Sequence, residues 1–404
     1  MSVFSDILAI LSFLAIFFLV FPALTVMIAF FKKEKLKTPA APKLHDFACV
    51  ITAYKNFEIT KPLVQSLLNQ QYEDFHIYLV ADGASLTDFD IENKKLTVLN
   101  PDPSLNLKVK SIIYALDHAH REHDFVVIFD GDNLAHPDFL QEINRYANAG
   151  FLAIQGQRTA KNLDTKYAAM DALGEFYKNY IERYVTYLLG SSAVISGSGM
   201  AVEANLYRGY LQSPEIETGK NLWKKMLQED KILQNFLLRQ NQKIAYARKA
   251  VCYDEKVTSA QAVETQRSRW LFSYFQNIPN VLGILRRAVM GLSWNQLYFG
   301  LITIAPPMFI LLFSAVFLLL INWFVQPLMS LLLLISMTVF ALNILLTLRL
   351  SGAPRAVWEA VASLPLFVLK QITALLKMGN PNKNFKHTEH TRKVSIDEVL
   401  SQKL

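Results

Sequence analysis

A long apolar segment near the beginning of the chain limits what this sequence can fold into. Ile7 to Phe31 is almost unbroken in hydrophobic residues, and as a helix it would rise about 36 Å, enough to cross the roughly 30 Å hydrocarbon core of a bilayer. No small-residue cleavage site follows, so we expect an anchor and not a removed signal peptide. The basic stretch Lys32–Lys37 predicts, by the positive-inside rule, that the following chain lies in the cytoplasm. We therefore predict a transmembrane anchor over residues 1–37.

The composition is typical of a membrane protein that also carries a globular domain. The chain has 404 residues, 52% of them hydrophobic, and a net charge of +7. Its basic residues lie largely beside apolar segments, where they would face an anionic leaflet, so nucleic acid is not an expected partner. Cys49 and Cys252 lie far apart in apolar surroundings, which predicts buried thiols and no disulfide framework.

The stretch Phe125–Asn133 carries the clearest chemical signal. Five strand-forming residues end at Asp130-Gly-Asp132, which predicts a buried strand opening on the carboxyl edge of a sheet, where open α/β sheets bind ligands. Two carboxylates in one small volume repel each other unless a cation lies between them. A hard divalent ion that leaves positions for phosphate oxygens would satisfy both. An Asp-Gly turn without chemistry is the open alternative.

From Asp46 onward, short strands alternate with helices, which predicts a doubly wound α/β sheet with parallel strands. The predicted strands are 47–52 and 75–80, and the predicted helices are 62–71 and 107–120. Asp82 follows a strand, as Asp130 does. Lys108 and Lys110 lie in the first turn of a helix, where the dipole disfavours cations, so they indicate a nearby anion or are simply solvated.

Six short motifs follow one another along the chain: Thr52-Ala-Tyr54, Asp82-Gly83, Asp130-Gly-Asp132, Ser196-Gly-Ser-Gly199, Glu229-Asp230 and Gln266-Arg-Ser-Arg-Trp270. In their order they resemble the motifs of inverting family 2 glycosyltransferases. The last resembles the Q-x-x-R-W signature of the processive, membrane-embedded branch: cellulose, chitin, hyaluronan and poly-N-acetylglucosamine synthases. The resemblance covers roughly residues 46–275. It implies an α/β GT-A glycosyltransferase domain, with a Rossmann-like mixed sheet, between transmembrane and interface helices.

The resemblance also implies a role for each motif. Asp82 would contact the nucleoside, Asp130 the sugar or ribose, and Asp132 would ligate Mg²⁺ or Mn²⁺ at the diphosphate, where charge develops as the sugar–phosphate bond breaks. A lysine at 108 or 110 would help, and Lys110 is the one predicted to bind the nucleotide sugar. The other candidates for nucleotide-sugar binding are Thr52, Tyr54, Arg269 and Thr388, and those for acceptor binding are Gly197, Ser198, Gly199, Gln266 and Trp270.

Inversion by direct displacement needs one base for the acceptor hydroxyl, and Asp230 is the predicted base. Glu229-Asp230 opens the helical run 231–239, whose N-terminus favours an ionised carboxylate. A capping role for Asp230 is the alternative. Gln228 precedes the pair where the family usually has Thr.

Several flanking segments carry weaker expectations. A strand is predicted over Ala193–Ile195, directly before Ser196–Gly199, which we call the glycine loop. Another strand is predicted over 151–157, where Gln155 would line the site. Tyr167–Leu189 is predicted as a helix used for core or dimer packing. On the helix 261–277, Trp270 would offer a platform to a sugar ring and Arg269 a fork to phosphate. An amphipathic helix on the inner membrane surface would look similar.

The remaining sequence predicts further membrane association. We expect a catalytic domain over 46–255, interface helices over 256–296, two transmembrane helices over 297–348, an interface or re-entrant helix over 353–378 and a cytoplasmic tail over 379–404. The two spans are 297–323 and 325–348, and Pro306-Pro307 should break or kink the first. Within the tail, 384–392 resembles a loop that closes over the nucleotide in related synthases, with His387, Thr388 and Arg392 as candidates.

Together these features predict a membrane-bound inverting enzyme that moves a sugar from a UDP-sugar to a growing polysaccharide, coupled to export. Transfer of a single sugar to a lipid such as polyprenyl phosphate is one alternative, and an inactive membrane scaffold or export partner is another. A homo-oligomer or a separate membrane partner is expected to complete the export path.

Overall fold

The computed structural model describes residues 3–37, 39–84, 89–222, 228–364, 371, 375 and 392–401. The helices are α1 (Val3–Phe30), α2 (Lys61–Leu68), α3 (Lys108–Asp117), α4 (Phe139–Asn148), α5 (Lys166–Lys178), α6 (Thr186–Leu188), α7 (Ala204–Leu211), α8 (Pro214–Leu222), α9 (Glu229–Arg239), α10 (Ala260–Met290), α11 (Trp294–Ile304), α12 (Met308–Val325), α13 (Pro327–Ser351), α14 (Arg355–Val361) and α15 (Ile396–Ser401). A 3₁₀ turn, Glu58–Thr60, leads into α2, and a π-helix, Asn179–Val185, joins α5 to α6. The strands are β1 (Phe47–Tyr54), β2 (Phe75–Asp82), β3 (Leu96–Leu99), β4 (Phe125–Asp130), β5 (Leu134–Ala135), β6 (Ala153–Ala160), β7 (Met200–Glu203) and β8 (Ile244–Asp254).

The strands form one mixed sheet in the order β3-β2-β1-β4-β7-β6-β8-β5. β1 pairs in parallel with both β2 and β4, and β3 pairs in parallel with β2. β7 runs antiparallel to both of its neighbours, β4 and β6. The strands of the parallel half are near-continuous apolar runs because helices cover both faces of such sheets. The predicted mixed α/β sheet is therefore confirmed.

The register of the parallel strands determines where the acidic residues lie. Thr52 stands opposite Asp130, and Tyr54 stands opposite Asp82. Because carboxyl ends of parallel strands meet at the same edge of the sheet, these four residues share one edge.

The predicted strand at Ala193–Ile195 is wrong, since β7 begins only after the glycine loop, at Met200. Ala193 and Val194 are buried, but their amides donate to the carbonyl oxygens of Ile244, at 2.9 Å, and Glu182, at 3.2 Å, the second of which lies in the π-helix. The apolar run therefore predicts correctly that this segment is buried, but it does not distinguish a strand from an extended segment of the core.

In the part of the chain that the structure describes, three helices are long and apolar enough to cross a membrane: α1, α12 and α13. The predicted interruption at Pro306-Pro307 is confirmed, because α11 ends at Ile304 and α12 begins at Met308. The apolar span thus starts at 308 and not at 297. Asn322 of α12 donates to the Ser12 hydroxyl of α1 at 2.9 Å, a contact suited to helices that pack in an apolar solvent.

The predicted long helix after residue 166 is present, but it contains the π-helical segment. It packs in the core and also against the apolar helices, where the rings of Tyr177 and Phe340 lie 6.1 Å apart. The helical stretch 166–188 therefore connects the sheet domain to α13.

Candidate active site

Lys108 joins four separate parts of the chain at the acidic edge of the sheet. Its ammonium lies 2.6 Å from Asp130 Oδ1, 2.9 Å from the carbonyl oxygen of Gly197 and 3.7 Å from Glu229 Oε1. The start of α3, the end of β4, the glycine loop and the start of α9 therefore meet in one cleft. Lys108, and not the predicted Lys110, makes these contacts, because different positions of one helical turn project in different directions.

The charges around Lys108 perturb each other. Burial alone would lower the pKa of the lysine, but Asp130, Glu229 and Asp230 together raise it. Burial raises the pKa of Glu229, with Lys108 opposing and Asp230 adding to that shift. The cleft therefore holds a permanent cation among three carboxyl groups.

Asp230 lies in the first turn of α9, as predicted, and directly beside the glycine loop. A Cβ placed on Gly197 would lie 3.5 Å from Asp230 Cβ, so the loop and the carboxylate are in van der Waals reach. The N-cap residue of α9 is Gln228, and Asp230 Oδ1 accepts from the neighbouring first-turn amide of Lys231 at 2.8 Å. The roles of Asp230 as a base and as a helix-capping residue therefore both stay predictions.

Gln228 connects this helix to the one that carries the Q-x-x-R-W signature. Its side-chain oxygen accepts from the Ser273 hydroxyl at 2.8 Å, and its amide donates to Gln276 Oε1 at 2.5 Å. The residue also has a positive φ of 64°, a conformation that costs a non-glycine residue roughly 1 kcal/mol. Both side-chain contacts lie on α10, so the start of α9 is fixed relative to that helix.

Asp82 is placed at the predicted sheet edge, but its carboxylate already has partners. Its oxygens accept from the Ser104 hydroxyl and from the amides of Leu105 and Asn106, each at 2.7 Å, and the residue is 2% exposed. Asn106 in turn accepts from the Tyr54 hydroxyl at 2.8 Å. Asp82 therefore orders the 104–106 loop beside Tyr54, and its contact with a nucleoside stays a prediction.

The glycine loop is held from beneath by two side chains. Gln155 is fully buried, accepts from the Ser196 amide at 2.9 Å and donates to the Ser198 carbonyl at 3.1 Å. It therefore supports the loop from beneath, and the prediction that it lines the site is wrong. Arg158 donates to the Ser196 carbonyl at 2.9 Å. The Ser198 hydroxyl is buried without a hydrogen-bond partner among the described residues.

Sequence reasoning missed a buried charge network behind this loop. Arg158 lies 2.8 Å from Asp254 and 3.6 Å from Glu175, which is also 2.7 Å from Arg183, while Lys256 lies 2.9 Å from Asp254. Burial would lower the pKa of Arg158, but Asp254 and Glu175 raise it. These charges come from distant positions, so nothing in local sequence signals their pairing.

Asp132 faces the β6–β8 side of the cleft. Its carboxylate accepts from the Glu255 amide at 3.4 Å, and its carbonyl accepts from Lys161 at 3.2 Å. Within the described ranges, no group of three or more His, Cys, Asp or Glu side chains forms a ready-made metal site. Mg²⁺ and Mn²⁺ need only one or two carboxylates when phosphate oxygens and waters complete the shell. The donor set fits an ion shared with a diphosphate.

The signature helix α10 presents Trp270 with two cations against its ring. The Arg267 guanidinium lies 4.5 Å and the Lys178 ammonium 5.1 Å from the ring centroid, and Arg267 also pairs with the buried Asp171 at 2.7 Å. Trp270 remains 37% exposed. A partly exposed indole that is fixed in this way is suited to stacking on an apolar sugar face.

Two further signature residues have buried polar atoms. Gln266 Oε1 is buried without a hydrogen-bond partner among the described residues, so it is available to an incoming donor. Burial lowers the pKa of the Arg269 guanidinium. Thr388 and His387 lie outside the described residues, whereas Arg392 is described and contacts Glu255.

A solved structure with the same fold is the mannosyltransferase PcManGT from Pyrobaculum calidifontis in complex with GDP-Man and Mn²⁺. It superposes with a TM-score of 0.50 at 13% identity, covering 91% of this chain and 98% of that one. This likeness concerns the fold alone, which is GT-A. The family described as "Glycosyltransferase like family 2" matches residues 43–273, more than half of the chain, and the protein belongs to that family.

The hyaluronan synthase of Streptococcus pyogenes is similar in sequence to this chain. It is 26% identical over 280 residues, which cover 64% of this chain and 64% of the synthase. The synthase of serotype M3 strains is 26% identical over 271 residues, 61% of this chain and 62% of that one. The chain therefore matches slightly less than two thirds of these relatives. The similarity supports sugar transfer as the activity class.

Proposed function

We propose that this protein is a membrane-bound, inverting glycosyltransferase that adds sugars from a UDP-sugar to a growing polysaccharide at the cytoplasmic membrane surface. The observation that carries the proposal is the convergence of Asp130, Lys108 and the Glu229-Asp230 pair around the glycine loop. These groups come from distant parts of the chain, yet they supply a fixed cation and a candidate base on one cleft.

The donor would occupy the carboxyl ends of β1, β2 and β4. Thr52, Tyr54 and the loop ordered by Asp82 are the candidates for the nucleoside side, and Asp130 for the sugar or ribose. Asp132 would hold Mg²⁺ or Mn²⁺, which when bound supplies positive charge to the diphosphate. The Lys108 ammonium, which is held 2.6 Å from Asp130, would stabilise the departing diphosphate from the opposite side. A cation that is already fixed in place need not reorganise as the charge develops.

The acceptor would approach from the α10 side of the glycine loop. Asp230 would take the proton of an acceptor hydroxyl, whose oxygen attacks the anomeric carbon while the diphosphate leaves on the opposite face, so the configuration inverts. Trp270 would stack on the acceptor sugar. Gln266 Oε1 and Ser198 Oγ, which have no hydrogen-bond partner among the described residues, would bind its hydroxyl groups. Gly197, where a Cβ would face Asp230, would allow the loop to approach this sugar closely, whereas the open side of Gly199 faces Cys252 of the sheet.

The membrane would bring the acceptor and its exit path to this cleft. Besides the three apolar helices, the α10–α11 connection exposes large apolar side chains next to Arg286 and Arg287, a combination suited to the surface of an anionic leaflet. The exposed apolar residues are Val289, Met290, Leu292 and Trp294. This arrangement supports an active site at a membrane surface, which we take to be the inner one. Export by this chain together with a second copy or another membrane protein is a further part of the proposal.

A product-size measurement tests the proposal. Purified protein in lipid is incubated with different UDP-sugars and either Mn²⁺ or Mg²⁺, and the products are separated by length. We expect a ladder or a long polymer with one UDP-sugar. If the product is a lipid that carries a single sugar, the protein transfers sugar to a lipid acceptor and does not extend a chain. If no UDP-sugar is turned over, the proposed donor class is wrong.

A further inference from the structure

Two residues with no role in the proposed chemistry connect Asp132 to the C-terminal segment 392–401. The Lys161 ammonium lies 3.2 Å from the carbonyl oxygen of Asp132 and 2.7 Å from that of Arg392. The Glu255 amide donates to the Asp132 carboxylate at 3.4 Å, and the Glu255 carboxylate accepts from the Arg392 amide at 3.1 Å. Each residue therefore contacts both Asp132 and Arg392, and Arg392 is held further by an ion pair with Asp164.

The rest of the segment packs on the same turn. Ile396 and Val399 of α15 are buried against Leu134, which is itself fully buried and lies two residues after Asp132. Leu400, the next residue, is 42% exposed, so α15 presents one apolar face to the domain. Polar bridges and apolar packing thus converge on the turn that follows β4.

Lys161 is suited to transmit a change across this contact. It is 2% exposed. When a buried ammonium loses a hydrogen-bond acceptor, the free-energy cost of its removal from water is no longer offset by that bond. If the segment leaves, the ammonium loses its bond to the Arg392 carbonyl oxygen, and the Glu255 carboxylate loses its bond from the Arg392 amide. Asp132 and residues 392–401 therefore share the same two bridging residues.

We propose that Lys161 and Glu255 are positioning residues that couple binding of a metal–diphosphate group at Asp132 to docking of residues 392–401. The inference rests on the proposed function, because it takes Asp132 to be the metal ligand. Coupling between two binding events is reciprocal. Binding at Asp132 must then strengthen docking of the segment, and docking must strengthen binding by the same factor.

Hydrogen exchange of the 392–401 amides, with and without UDP and Mn²⁺, tests the first direction. We expect at least tenfold slower exchange when both are present, and no change in Asp132→Ala. Lys161→Met should also abolish the response, whereas Lys166→Met, a matched loss of an exposed lysine nearby, should preserve it. A purely structural role for the segment predicts equal exchange with and without UDP and Mn²⁺, and that result would overturn the coupling.

Titration of Mn²⁺ and UDP by calorimetry tests the reverse direction. Val399→Asp removes the buried contact with Leu134 and should weaken binding about tenfold, while Leu400→Asp adds the same charge at an exposed position and should leave it unchanged. Equal affinities in the two variants would refute the coupling. Should the wild type transfer sugar and bind UDP with Mn²⁺ but show no exchange response, only this inference fails. With neither turnover nor UDP binding, the proposed function fails as well.

Discussion

Replacing Gly199 by Ala tests how tightly the glycine loop is fixed above the sheet. Gly199 has a φ of +59°, and a Cβ there would lie 2.7 Å from Cys252 Cβ, closer than real carbon atoms approach. An alanine in the left-handed region costs about 1–2 kcal/mol, and overpacking a close core contact costs about 1–3 kcal/mol more. The expected loss of stability is therefore about 2–5 kcal/mol, summed from those two effects.

Gly150 supplies the matched control for this substitution. Its φ of +88° is also left-handed, but a Cβ there would meet nothing within 4 Å. Gly150→Ala should therefore show only the backbone cost, about 1–2 kcal/mol. With roughly 2–4 °C per kcal/mol for a domain of this size, the apparent melting temperature should fall by about 10 °C in Gly199→Ala and about 4 °C in Gly150→Ala.

The assay is thermal unfolding of the purified protein in detergent, followed by intrinsic fluorescence, with sugar transfer measured on the same samples. Transfer should fall further in Gly199→Ala than in Gly150→Ala even below the melting temperature, because the shifted loop carries the Gly197 carbonyl that Lys108 contacts. Adding Cys252→Gly to Gly199→Ala removes the atom that the new methyl group meets and should restore part of the difference. Equal melting temperatures for the two alanine variants would refute the steric argument.

Three further substitutions follow from contacts of single residues. Gln228→Ala removes the tie between α9 and α10 and should lower kcat about tenfold without changing the affinity for UDP and Mn²⁺; an equal loss of UDP affinity would contradict a positioning role. Arg158→Met removes one of the cations that pair with the buried Asp254 and Glu175, which keep Lys256 and Arg183. It should lower the free energy of unfolding by up to about 3–5 kcal/mol, the cost of breaking a buried pair, measured by denaturant titration, whereas an unchanged midpoint would show that the remaining cations suffice. Burial, His120 and Arg121 lower the pKa of His76 to about 4, so its contribution to stability is fully present above the unfolded value near 6.5 and is lost as pH falls from about 6.5 to 4. At pH 5 that loss is about 2 kcal/mol; His76→Gln should flatten the dependence of the melting temperature on pH in this range, and an unaltered pH profile would argue against it.

Local sequence was sufficient to locate the acidic edge of the sheet. The apolar run 125–129 stops at Asp130, and the run 75–81 stops at Asp82, so the carboxyl ends of both strands were readable from pattern alone. Parallel pairing with β1 then brings Thr52 beside Asp130 without further information. The proline pair before Met308 was equally readable, because proline cannot continue a helix.

The predictions that were wrong or missing concern side chains whose positions depend on contacts between distant segments. Choosing between Lys108 and Lys110 required the direction of one helical turn relative to Asp130, which spacing does not contain. Gln155 looks like a polar strand end in sequence, but its amide is turned inward beneath the glycine loop. The link from Lys161 to Arg392 spans 231 residues, so no local pattern could reveal it.

The central claim is that Asp230 acts as the base in a cleft assembled around Lys108, and one variant tests it most directly. Asp230→Asn keeps the size of the side chain and removes its basicity. Calorimetry with UDP and Mn²⁺ should give wild-type affinity, while the rate of sugar transfer from a UDP-sugar should fall by at least about 10²–10⁴, the usual contribution of a positioned general base. Transfer at the wild-type rate in this variant would contradict the assignment of the site.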